Sequence, residues 1–90
     1  MNIPEEINKA VQLHVKGEFV EAGALYKKVL SVQPNNPDAL HLLGVVCFQT
    51  GDLESSEELI NKAIEENPSN PNFHNNLGNT LRNAGKTVQA

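Results

Sequence analysis

Three glycines set the terms for this chain. Gly17, Gly51 and Gly85 are each separated from the next by 34 positions, in a sequence of 90 residues. Pro34 and Pro68 keep that interval, as do Pro37 and Pro71, Leu43 and Leu77, and Gly44 and Gly78. The loop "PNNP" at 34–37 returns as "PSNP" at 68–71. Five coincident registers in so short a chain mark a repeat, and a fixed period of this size means one supersecondary unit copied along the chain. Such a unit cannot bury its apolar face alone, so copies must stack.

Each unit reads as two helices. Asn36 and Asn70 are N-caps, followed by Pro37 and Pro71 at the first helical position, where a missing N–H costs nothing. The first helix (helix A) runs to about residue 50 in unit two and about residue 84 in unit three, each ending at a glycine suited to a left-handed C′ position. The second helix (helix B) is expected at 18–32 and 52–66, with Asp52 as cap. Phe19, Ala22, Leu25, Tyr26 and Val29 carry amphipathic helical spacing, and so do Leu53, Leu59, Ile60, Ala63 and Ile64. Pro34 and Pro68 stop the B helices.

A helix–turn–helix unit of this length and punctuation resembles the tetratricopeptide repeat (TPR). Ala10, Gly44 and Gly78 stand where the family needs a small residue at helix contacts, and Ala22 and Ala63 fill two later such places. Leu43, Leu77, Tyr26 and the loop prolines also match, whereas Glu6 and His74 replace a large apolar residue and Ser56 replaces an alanine. The resemblance implies an all-α fold, an α-solenoid of about two and a half TPR repeats (3–36, 37–70 and 71–90) wound as a right-handed superhelix. Unit three ends about four residues into its B helix, and so short a helix does not hold itself together. Phe73, Leu77 and Leu81 are then expected to lack cover. The 90 residues read as the N-terminal piece of a longer protein, with self-association through the uncapped end as a further expectation.

The family resemblance further implies that A helices line the concave side. The groove positions so inferred are Ile7, Asn8, Val11, His14 and Val15 in unit one, and His41, Leu42, Val45, Phe48 and Gln49 in unit two. In unit three they are Asn75, Asn76, Asn79, Arg82 and Asn83. On a helical wheel Asn72, Asn76, Asn79 and Asn83 form one stripe, nearly opposite Phe73, Leu77, Leu81 and Ala84. A carboxamide both donates and accepts, so such a stripe suits the main chain of an extended peptide. The run "NNLGN" is similar to the asparagine-ladder repeats of O-GlcNAc transferases, with Asn76 and Asn8 at ladder positions, Asn79 at a second groove position, and Leu42 interrupting the ladder. A carboxylate clamp would need several groove lysines and arginines, and only Arg82 qualifies. Val11, Val45 and Phe48 instead offer an apolar patch.

Charge and chemistry exclude other classes. The net charge is −4. The acidic excess falls mainly on helix B of unit two (Asp52, Glu54, Glu57, Glu58, Glu65 and Glu66) and reads as a solvated outer face; no basic face serves nucleic acid. No run of about 18 apolar residues spans a membrane, and no secretory leader pattern is present. Cys47 stands alone, a small core residue that fits a reducing interior, and a cytoplasmic location is expected. His14, His41 and His74 lie on three helices without metal-ligand spacing, and no catalytic set or phosphate loop is present. The expectation is a non-enzymatic module without cofactor that holds an extended or helical protein segment in its groove. The rival readings are the substrate-recognition region of a larger glycosyltransferase or methyltransferase, and a structural self-assembly or spacer element.

Overall fold

The computed structural model describes the backbone of residues 1–89 and the side chains of residues 1–85. Five helices follow one another with no strand among the described residues: α1 (Ile3–Val15), α2 (Phe19–Val32), α3 (Pro37–Gln49), α4 (Leu53–Glu66) and α5 (Pro71–Gln89). Helices α1 and α2 pair as one hairpin and α3 and α4 as the next; α2 packs on α3, and α4 on α5. This is the expected helical-repeat architecture.

Local chemistry sets the helix ends. Oδ1 of Asn2, Asn36 and Asp52 accepts from the backbone N–H three residues on, at 3.1, 3.0 and 3.1 Å, capping α1, α3 and α4. Asn70 accepts instead from the N–H of Asn72, two residues on. Gly17 and Gly51 adopt φ of +83° and +92°, a region that costs most residues strain and glycine little. Around each the same pair of bonds closes the helix. Gly17 N–H donates to His14 C=O and Glu18 N–H to Leu13 C=O; Gly51 and Asp52 donate likewise to Phe48 and Cys47. The turn between helices A and B is thus a Schellman cap built twice from one sequence pattern.

Gly85 departs from that pattern. It keeps ordinary helical backbone, and α5 continues through it to Gln89 rather than ending near residue 84. The turns at Gly17 and Gly51 are each stabilised by a 14-residue helix that folds back on its partner. No positive φ breaks the ladder at Gly85, and in a helix already formed each further residue adds a hydrogen bond without a new nucleus.

The core is continuous across units. Ala10, Ala22, Tyr26, Leu43 and Val46 form one buried cluster, and Leu40, Ala63 and Phe73 a second; Leu30 and Leu59 pack against both. Phe73 is only 2% exposed, contrary to the expectation that it lacks cover, because it inserts into the preceding hairpin against Leu40 and Ala63. Leu81 does lie open, at 47% exposed. Helix α5 presents Phe73 and Thr80 as its buried positions, so the face it buries is rotated away from the Leu81 side. Cys47 is half-buried rather than core, lining an open groove with Phe19, Val20, Gly23 and Ala24 of α2. Glu6, unusual at its register, is drawn between Lys9 and Lys28 at 3.9 Å each, a surface contact of little energetic weight.

Two buried hydroxyls join α4 to α5. Thr80 Oγ1 donates to the Asn76 C=O at 2.9 Å, and Ser56 Oγ donates to Thr80 Oγ1 at 3.1 Å. The serine at the usual alanine place is therefore satisfied, and no buried side-chain polar atom among the described residues lacks a partner.

Two contrasts test this packing. A Cβ at Gly44 would stand 2.7 Å from Ile60 Cγ1 and 3.3 Å from the Ser56 carbonyl oxygen, whereas a Cβ at Gly78 meets nothing within 4 Å. Gly44→Ala should destabilise by about 1–3 kcal/mol in urea denaturation, and Gly78→Ala should stabilise by about 0.5–1 kcal/mol, although both occupy the same repeat register. Thr80→Val removes the acceptor of the buried Ser56 hydroxyl and should cost about 1–3 kcal/mol; Ser56→Ala leaves Thr80 bonded to Asn76 and should cost less.

Candidate functional site

The stripe of amides on α5 meets the apolar residues of α3 in one place. Val45 and Phe48 of α3 and Asn76 and Asn79 of α5 line a small cleft floored by Ile60 and Thr80, with a volume of about 30 Å³. That space holds one or two waters or a methyl-sized group, so a larger ligand would lie across it. A second, open cleft of about 400 Å³ lies between the start of α1 and the α2–α3 loop, lined by Ile3, Ile7, Asn8 and Asp38 among others.

The structure sorts the expected groove residues accordingly. It brings Val45, Phe48, Asn76 and Asn79 together; Asn8 lines the other cleft. Val11 is half-buried, and Asn75 is exposed outside both clefts. His14 and Gln49 stand outside both clefts and bond to each other. The His14 ring accepts at Nδ1 from the fully buried Tyr26 hydroxyl at 3.3 Å and donates from Nε2 to Gln49 Oε1, with Phe19 edge-on at 5.7 Å. Burial without a charged partner pushes the Tyr26 hydroxyl up to about 12. Arg82 donates to Asn79 Oδ1, and Asn83 Nδ2 donates to the Asn79 backbone carbonyl at 2.8 Å. These two exposed residues brace Asn79 from the far side.

Thr80 completes the site and stands outside the set inferred from sequence, whereas His41, inferred as a groove position, joins it through Asn76. Asn76 Nδ2 donates to His41 Nε2 at 2.6 Å, while the His41 ring lies tilted over Phe73, centroids 4.6 Å apart. Burial holds the His41 imidazole below its ordinary 6.5, opposed by the Asp38 carboxylate. A neutral ring with an accepting Nε2 fits the donated bond. His14 with Gln49 and His41 with Asn76 are both separated by 35 positions, one more than the repeat. Histidine–carboxamide pairs at that offset are the sequence signal for these ties between neighbouring A helices.

The residues offer hydrogen bonds and apolar contact, with little charge. No three His, Cys, Asp or Glu side chains gather as a cation site among the described residues. No described helix is long and apolar enough to cross a membrane.

A tetratricopeptide repeat model matches residues 16–79, more than half of the chain. The chain belongs to the TPR family. It is 34% identical to a UDP-N-acetylglucosamine–peptide N-acetylglucosaminyltransferase of Caenorhabditis elegans over 98% of its own length but 8% of that protein's. Among solved structures it is similar to an O-GlcNAc transferase of Thermobaculum terrenum (TM-score 0.86, 29% identity, 88% of this chain and 15% of that one). It is also similar to the C-terminal TPR-containing domain of a Plasmodium falciparum FK506-binding protein (TM-score 0.91, 27% identity, 98% of this chain and 58% of that one). The chain thus spans only a small part of the transferases it resembles, and what is matched there is repeat, not catalytic machinery. TPR domains generally bind protein partners and are typically non-catalytic.

The His41 environment has a consequence for stability. Its folded-state pKa lies below the unfolded value of 6.5, so between the two the unfolded chain binds more protons. The stability held at this residue is complete above 6.5 and is lost as pH falls through the lower, folded value. Urea midpoints measured against pH should show this decline, and His41→Gln should flatten that part of the profile.

Proposed function

We propose that the TPR groove holds an extended peptide segment across the cleft between α3 and α5. In this reading the ligand main chain bonds to the side-chain amides of Asn76 and Asn79, and an apolar group of the ligand rests on Val45 and Phe48. The observation that carries it is the meeting of those four side chains in one cleft. Amides give directional bonds to any peptide unit without selecting a sequence, and the apolar pair adds modest side-chain preference. The interruption at Leu42, half-buried against the first core cluster, limits main-chain reading to a short segment.

The likeness to O-GlcNAc transferases favours a second reading, in which this groove delivers protein substrates to an enzyme of which the repeats are one part. Both readings use the same contacts. A synthetic library of extended peptides, screened by fluorescence anisotropy, tests them. For peptides that bind, Asn76→Ala should weaken binding about tenfold, the worth of one hydrogen bond, and Phe48→Ala should do so only for apolar sequences. Affinities unchanged by both substitutions would overturn the groove reading and leave a spacer.

A further inference from the structure

The bond between Asn76 and His41 fixes more than the position of Asn76. A side-chain amide has an accepting oxygen at one end and a donating NH₂ at the other, and the end turned to a neighbour decides which end is turned away from it. Here Nδ2 is directed to His41 Nε2 at 2.6 Å, and Nε2 accepts only while the imidazole is neutral. Asn76 also lines the cleft, so its carbonyl oxygen is the group left for an incoming donor.

We infer that His41 sets the polarity that Asn76 shows to the groove: acceptor outward when the imidazole is neutral, donor outward when it is protonated. On protonation Nε2 carries a hydrogen, and two donors cannot stay bonded to each other. The His41 ring lies over Phe73, centroids 4.6 Å apart, a contact that favours keeping it in place. Turning the Asn76 amide over about its last torsion restores the bond, with Nε2–H now donating to Oδ1 and the NH₂ group facing the cleft. The proton comes from solvent and returns to it, and no covalent bond changes.

The surroundings place the change below the ordinary imidazole value of 6.5. From α5 the groups against His41 are Phe73 and Asn76, neither of which titrates there. Asp38, on the ring's own helix, is the charged group that bears on it, and it favours the proton that burial disfavours. The other histidine–carboxamide pair, His14 with Gln49, differs. Gln49 is exposed and outside the cleft, so its orientation is not presented to a ligand there.

The consequence for a ligand rests on the proposed groove reading, whereas the coupling of the amide to the proton does not. In the ¹⁵N-labelled 90-residue chain, the His41 ring nitrogens and the Asn76 side-chain NH₂ resonances are followed as pH is taken from above to below 6.5. The Asn76 NH₂ shifts should move with the His41 midpoint, and His41→Gln should abolish that movement while the backbone spectrum keeps its dispersion. Asn76 resonances that stay flat through the His41 titration, or that still titrate in His41→Gln, overturn the inference. Two small amides then probe the cleft. Above the midpoint, N-methylacetamide, which has an N–H, should perturb Asn76 more than N,N-dimethylacetamide, which has none and can only accept, as from the Asn79 NH₂ in the same cleft; below the midpoint the two should perturb Asn76 alike. Equal response of Asn76 to the two above the midpoint would also overturn the inference. If neither perturbs the cleft while Asn76 still follows His41, the peptide-groove reading falls and the proton-coupled amide stands.

Discussion

The contact between α3 and α4 at Gly44 governs how closely this hairpin closes. With no side chain at Gly44, Ile60 and the Ser56 backbone come within the space a Cβ would need. That approach is a dense van der Waals contact in which each atom adds little and the sum is large. It also places Ser56 where its hydroxyl reaches Thr80 of α5. The position of the third unit's first helix, and with it one wall of the cleft, follows from the closing of the second hairpin.

Stacking between units relies on different chemistry on the two sides of the sheet of helices. Toward the core, Phe73 fills the space beside Leu40 and Ala63, and Leu30 and Leu59 touch both clusters, so apolar burial runs through the unit boundary. On the groove side, neighbouring A helices are tied by His14 with Gln49 and His41 with Asn76. Directional bonds between short polar side chains fix the rotation of each helix more tightly than apolar contact, which tolerates sliding. Of these four side chains, Asn76 is the one that also lines the cleft. A ligand bonded to Asn76 would engage a side chain already oriented by the scaffold, which lowers the entropy lost on binding.

Much of this was legible in one sequence because it depends on short-range rules. The period, the Asn–Pro helix starts and the Gly17 and Gly51 turns each follow from local backbone chemistry, and all appear where the spacing puts them. The small residues Ala10, Ala22, Gly44 and Ala63 pointed to close contacts, and each is buried. Gly85 was misleading because the same residue in the same register ends a helix only when a second helix returns beside it. Phe73 was misread because its cover comes from the unit before. Cys47 was placed in the core by register, yet the surface between α2 and α3 leaves it half open.

The amino-acid sequence by itself determined the repeat, its helices, its family and the stripe of asparagines on α5. Periodicity and capping are properties of a chain segment and its immediate neighbours. Only the tertiary structure decided which amides share a cleft with Val45 and Phe48, that Thr80 is buried against Ser56, and that Asn76 is held by His41. These are contacts between residues 24 to 35 positions apart, so they depend on how whole helices pack and not on any local pattern.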